Sequence, residues 1–161
     1  MRRVSKVKIL PFLITLTIVG LDQLAKFLVK KYLVYGYSYS LIGEVLKLTY
    51  VKNPNTLFSI SLGPNFPYTI LGFVLIAVLV VLILHENKLS YSLIYGLLLG
   101  GAAGNIIDRL RMGEVVDFID VGVSPTLRWP VFNLADSAIT IGLIIYFIIV
   151  LKGVKKGEIN D

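Results

Sequence analysis

Asp117 and Asp136 are the residues of this chain best placed to do chemistry. The first lies in Val115-Val116-Asp117-Phe118-Ile119-Asp120 and the second in Phe132-Asn133-Leu134-Ala135-Asp136-Ser137, at the two ends of one polar loop in a chain that is otherwise strongly apolar. A carboxylate at or near bilayer depth is costly and is kept for a partner or a function. Two carboxylates held close together cannot both ionise cheaply, so one keeps its proton while the other stays charged. The charged one can take a proton from water while the protonated one polarises a carbonyl, which is the arrangement of aspartic peptide hydrolysis. A divalent cation site or a proton relay would use the same pair, and the residues by themselves leave those readings open.

Further polar groups fall at matching positions along the chain. Asp22, Gln23 and Lys26 close the first apolar run; Asn105, Asp108 and Arg109 close the third; Asn133 and Asp136 open the fourth; Asn53 and Asp117 come from the loops between. Asn105 and Asp108 are three residues apart on a helix, as are Asn133 and Asp136, so each pair shares a face and can point into one pocket. Asp22 with Lys26, and Asp108 with Arg109, read most simply as ion pairs that pin helices together. A Ser–His–Asp set is excluded because the only histidine, His85, stands at the other end of a span. A Ser137–Lys dyad lacks a nearby lysine outside the first span. With no cysteine in the chain, thiolate chemistry and disulfides are excluded as well.

The elements that must carry these groups are membrane helices. The chain has 161 residues, 56% of them hydrophobic, and a mean hydropathy of +0.80. Its apolar residues are gathered into four long runs, at about 9–28, 67–84, 89–107 and 133–151, each roughly the 20 residues a crossing helix needs. The fold expected is an all-α polytopic membrane protein, a single membrane-embedded domain over 1–161 with loops at about 29–66 and 108–132. Gly96, Gly100 and Gly104 form a small-xxx-small stripe on the third span, a surface for close helix packing. The net charge of +6 comes from residues that hug the ends of the apolar runs, a pattern of topology signals and headgroup contacts that argues against nucleic acid as a partner.

Four spans place both termini on one side. Of the 16 Lys and Arg residues, eight fall on each side, but those of the termini and of Glu86-Asn87-Lys88 are packed into very short flanks, which favours that side as cytoplasmic. The basic start resembles a secretory signal peptide, yet Val19-Gly20-Leu21-Asp22-Gln23 offers no small-x-small cleavage site, so an uncleaved first span is expected. In the first outer loop, 44–52 is β-rich and partly alternating, followed by the turn Asn53-Pro54-Asn55 and the short run Leu57–Leu62 closed by Gly63-Pro64. These segments predict a small sheet or hairpin at the membrane surface.

Asp22-Gln23 with Lys26, Asn53 with Phe58, the block Gly101–Arg109, Val115–Ile119 and Phe132–Ala138 follow one another along nearly the whole chain. In that order they resemble the motif blocks of the bacterial lipoprotein signal peptidases, the signal peptidase II family. The resemblance implies an inner-membrane aspartyl protease with four transmembrane helices, cytoplasmic termini, and a periplasmic β-sheet element beside the active site. It implies a catalytic dyad at Asp117 and Asp136, with Asp22, Lys26, Asn53, Asn105, Asp108, Arg109, Asn133 and Ala135 as pocket and supporting residues, and no metal or cofactor. The implied substrate is a prolipoprotein whose cysteine carries a diacylglyceryl group, cut just before that cysteine; membrane lipids are the other implied partners. The cyclic peptide globomycin is the implied inhibitor. One block departs: where the family has Asn-x-Gly-Ala-Ala-Phe, this chain has Asn53-Pro54-Asn55-Thr56-Leu57-Phe58, with bulkier residues in the loop.

Overall fold

The computed structural model describes residues 2–54, 63 and 66–155. The chain runs α1 (Arg2–Tyr32), β1 (Ser38–Ile42), β2 (Leu46–Asn53), α2 (Tyr68–His85), α3 (Leu89–Met112), β3 (Val115–Val121) and α4 (Leu134–Lys155). All four helices are long and apolar enough to cross a membrane. Most of their large apolar side chains are exposed, including Leu16, Phe73, Val81 and Phe147, which is the outward face a bilayer solvates.

α3 is the central helix, packed on α1, α2 and α4, and its glycines explain why. A methyl group added to Gly96 would meet the Pro11 carbonyl at 2.6 Å, one at Gly100 would meet Ile18, and one at Gly104 would meet Asp22. The stripe is thus the seat of α1, which touches it once per turn or two through Pro11, Ile18 and Asp22. Thr15 seals the same seam by donating to both the Pro11 and Gly96 carbonyls at 3.0 Å. Gly101 lies on the next face and receives α4, with the Ala135 carbonyl and Ile139 against it. Without an oily penalty to drive helices together inside lipid, such close backbone approach supplies the packing that holds a bundle.

The first and third helices run further than their apolar stretches predict. α1 continues through Asp22, Gln23 and Lys26 to Tyr32, and α3 passes 107 to end at Met112, where Gly113 takes a left-handed φ of 76°. The polar residues do not end either helix because each is paired across the interface. At the opposite end, Lys8 bonds the carbonyls of Ile83, Leu84 and Glu86, satisfying groups that the last turn of α2 leaves open.

β1, β2 and β3 form one antiparallel sheet in that order. The strand expected at 44–52 is present as β2, and its hairpin partner is the preceding β1, with Tyr39 opposite Leu48 and a turn through Gly43 at φ 47°. The third strand is a correction to the loop reading of 108–132: Asp117 sits in β3, with Val51 opposite Asp117 and Asn53 opposite Val115. Val116 and Phe118 of β3 close over Val29 of α1 and Tyr50 of β2, which ties the sheet to the bundle. The short run predicted at 57–62, and Asn55, Thr56 and Phe58 with it, lie outside the described residues.

Candidate active site

The site begins with Asn133. It is the residue before the first turn of α4, and its side-chain carbonyl accepts the Asp136 backbone N–H at 2.8 Å, while Asp136 Oδ2 accepts the Asn133 backbone N–H at 3.4 Å. This reciprocal pair is a capping box built from Asn and Asp, and it fixes Asp136 at the third helical position. The Asn133 amide then uses its Nδ2 to donate to Asp117 Oδ1 at 2.7 Å. One side chain therefore starts the helix, orients one carboxylate and binds the other.

β3 reaches the same point because the return loop lies beside it. The Phe132 carbonyl accepts the N–H groups of Phe118 and Ile119 at 3.0 and 2.7 Å, and the Phe132 N–H donates back to Ile119. Residue 132 is thereby held against the strand next to Asp117, and residue 133 has no choice but to face the carboxylate. From the other side, Asn53 at the end of β2 donates to Asp117 Oδ2 at 2.8 Å, a diagonal cross-strand contact. Asn105 of α3 donates to Asp136 Oδ1 at 2.7 Å, and its own carbonyl accepts from Asn133 and from Lys26.

Behind this ring stands an ionic cluster. Lys26 Nζ lies 2.8 Å from Asp22 Oδ2 and 3.0 Å from Asp108 Oδ2, all three fully buried. Asp22 also accepts the Ala135 N–H at 3.0 Å, an otherwise open donor of the first turn of α4. Asp108 accepts the Val116 N–H at 3.1 Å and a Gln23 amide hydrogen at 3.0 Å. The cluster locks α1, α3, β3 and α4 into one geometry. The Asp22–Lys26 pair is as expected; the ion partner of Asp108 is Lys26 on another helix, not its chain neighbour Arg109, because consecutive residues of a helix point apart.

Arg109 and Asn105 line a cavity of about 250 Å³ between α2, α3 and α4, together with Tyr68, Leu71 and Ile139. The cavity is apolar along the helices and polar at the dyad end. Ala135 is fully buried at the crossing of α3 and α4, where a larger side chain has no room. All ten site residues proposed from the sequence thus gather at one end of the bundle.

Electrostatics favour a shared proton. Complete burial, and then the neighbouring Asp136, push the Asp117 carboxyl up from the usual carboxylate range to about 7; the amides of Asn53 and Asn133, and the more distant Lys26, pull the other way. The other candidate chemistries recede. Lys26 is committed to its two carboxylates, and the Ser137 hydroxyl donates to the Asn133 carbonyl at 2.9 Å. His85 bonds the Val81 carbonyl at the far end of α2, about 25 Å along the helix from Tyr68.

Sequence reasoning does not single out Thr49, Asp120 and Arg128. Asp120 accepts from Thr49 and from Arg128 Nε, each at 2.6 Å, and Arg128 also donates to the Glu44 carbonyl at 2.8 Å. This second network ties β2, β3 and the return loop at the end of the sheet away from Asn53. Only the strand pairing reveals it, since Thr49 and Asp120 are 71 residues apart.

Comparison with known proteins agrees with this fold. A family model described as signal peptidase (SPase) II matches residues 14–152. The lipoprotein signal peptidase of Halothermothrix orenii is 34% identical over 91% of this chain and 99% of its own length. That of Brevibacillus brevis is 40% identical over 91% of this chain and 98% of its own. A solved bacterial membrane enzyme, determined by the in meso method at 2.3 Å, superposes with a TM-score of 0.82 at 31% identity, covering 94% of this chain and 93% of that one.

Proposed function

The chain belongs to the signal peptidase II family, and from that premise we propose that Asp117 and Asp136 are its catalytic dyad, cutting a diacylglyceryl-modified prolipoprotein just before the lipidated cysteine. The protein is an aspartic peptidase that removes prolipoprotein signal peptides. The observation that carries the residue assignment is Asn133, whose single side chain bonds Asp117 and caps the turn that holds Asp136.

Burial and the neighbouring Asp136 let Asp117 keep a proton up to about pH 7. The protonated carboxyl donates to the scissile carbonyl oxygen as the ionised one takes a proton from the attacking water. The tetrahedral intermediate is hydrogen-bonded by both aspartates. Its collapse breaks the C–N bond; the proton taken from water passes to the departing nitrogen, which becomes the new amino terminus at the cysteine. Asn53, Asn105 and Asn133 keep both carboxyls oriented throughout, and the cavity beside Arg109 and Tyr68 suits the peptide strand. The enzyme sits in the inner membrane with both termini cytoplasmic and the dyad at the periplasmic end, a placement favoured by the dense basic flanks of 2–8 and 152–156. Sensitivity to the cyclic peptide globomycin is expected on the same reading.

The test is cleavage of a diacylglyceryl-modified prolipoprotein by the purified protein in detergent, beside Asp117→Asn and Asp136→Asn. Each variant is expected to lose at least about 10²–10⁴-fold in rate, the worth of a positioned acid or base, while inserting normally. Wild-type turnover in either variant would remove that aspartate from the mechanism.

A further inference from the structure

A second cavity lies on the other side of α4 and has no part in the chemistry described so far. It has a volume of about 400 Å³ and is lined by Val121, Trp129, Phe132, Ser137, Thr140 and Ile141. Its position ties it to the dyad: Phe132 precedes Asn133, and Ser137 follows Asp136. Three of the six side chains are pure hydrocarbon. The two hydroxyl groups are turned away, since Ser137 donates to the Asn133 carbonyl and Thr140 to the Asp136 carbonyl, both at 2.9 Å. The wall thus presents carbon where its residue types suggest polarity.

That lining suits a hydrocarbon chain and not a peptide, whose backbone N–H and C=O groups would be buried there without the partners they need. The groove is also continuous with the lipid-facing side of α4. Ile141, Ile144, Ile145 and Ile148 recur at helical spacing below it, and all are exposed. Trp129 also lines the groove and is exposed, a residue type enriched at the membrane interface.

Resting on the dyad assignment above, we infer that this groove receives one acyl chain of the diacylglyceryl group on the substrate cysteine. The chain enters beside Ser137 and leaves along the isoleucine stripe into the bilayer, while the peptide lies in the cavity beside Arg109. Moving an acyl chain from lipid into an apolar groove gains little hydrophobic energy, because lipid is as apolar as the wall. The gain is orientation: a held chain fixes the cysteine, and with it the scissile bond, against the dyad.

Two measurements on the full-length protein in detergent test this. Ile141→Trp fills the groove from a side chain that makes no hydrogen bond to the dyad or its ring. Against substrates carrying long or very short acyl chains, wild type should favour the long chains, and Ile141→Trp should lower kcat/KM for the long-chain substrate by about tenfold, the low end of what an apolar pocket discriminates. It should leave the short-chain substrate unchanged. An equal loss on both substrates, or none on either, overturns the proposal. The second measurement uses Trp129, the single tryptophan of the chain, as an internal probe in Asp117→Asn, which retains substrate. A substrate with brominated acyl chains should quench most of its emission saturably, and unbrominated substrate should restore it. Quenching by brominated phospholipid that substrate does not reverse would mean that the groove holds membrane lipid, and overturns the proposal. If wild type cleaves no lipidated peptide, the catalytic reading fails, while the quenching still decides the groove.

Discussion

Replacing Asn53 with leucine should move the alkaline limb of the pH–rate profile upward. In the proposed mechanism the active dyad holds one proton, so activity falls when the second ionisation removes it, and burial together with Asp136 sets that event near the Asp117 value of about 7. Asn53 Nδ2 donates to Asp117 Oδ2 at 2.8 Å and so stabilises the ionised form. A hydrogen bond to a charged acceptor is worth about 1.5–3 kcal/mol. Losing it disfavours ionisation by that amount, which at about 1.4 kcal/mol per pKa unit is about 1–2 units. The sign is unambiguous: removing a donor from a carboxylate raises its pKa, so Asn53→Leu should hold activity up to about pH 8–9. The assay is kcat/KM for a diacylglyceryl-modified peptide from pH 5 to 10, wild type beside variant, at fixed detergent. A limb that stays in place, or moves to lower pH, refutes the reasoning that Asn53 tunes the shared proton.

Three further outcomes follow from the same geometry. Lys26→Met leaves Asp22 and Asp108 buried without their cation, and should cost about 3–5 kcal/mol, read as a lower thermal unfolding midpoint in detergent; Lys26→Met with Asp108→Asn should recover part of it. Gly101→Ala puts a methyl group against the Ala135 carbonyl and Ile139, so it should destabilise the bundle by about 1–3 kcal/mol, measured the same way, with Gly20→Ala as a neutral control because that position is open. Stability should fall as pH rises: the Asp117 carboxyl binds its proton more tightly folded (about 7) than free (3.8), so its contribution is complete below pH 4 and lost through about 7. The loss is at most about 4 kcal/mol, and Asp117→Asn should flatten that part of the unfolding profile.

The bundle was legible because a membrane helix announces itself by apolar length alone, and the glycine stripe of α3 by its spacing. The site residues were legible as types at matching depths. What stayed hidden depends on contacts between segments distant in the chain. Asp117 reads as a loop residue because β3 is short and is recruited by β2, 64 residues earlier, with a bulge between Leu48 and Val51 that no local pattern marks. α1 reads as ending near 28 because its last turns are polar; they stay helical because Gln23 and Lys26 find partners on α3 and Asp22 finds one on α4. Asp108 and Arg109 read as a pair because they are adjacent, whereas helix geometry sends Asp108 to Lys26. In each case the local signal was correct and a tertiary partner changed its meaning.

The choice of asparagine around the dyad has a physical reason. A lysine or arginine in direct contact with both aspartates would stabilise both charges, and the shared proton that hydrolysis needs would be lost. Asn53, Asn105 and Asn133 supply donors of fixed geometry and no net charge. Lys26 touches this ring through the carbonyl of Asn105 and is flanked by Asp22 and Asp108. Its rigidity reaches Asp136 through an amide, while its charge, flanked by two carboxylates, is the smallest of the effects on Asp117. Exchanging Asn105 for a cationic residue would therefore damage catalysis in a different way from exchanging it for leucine: the first favours ionisation of the pair, the second takes a donor from Asp136 and lets it move.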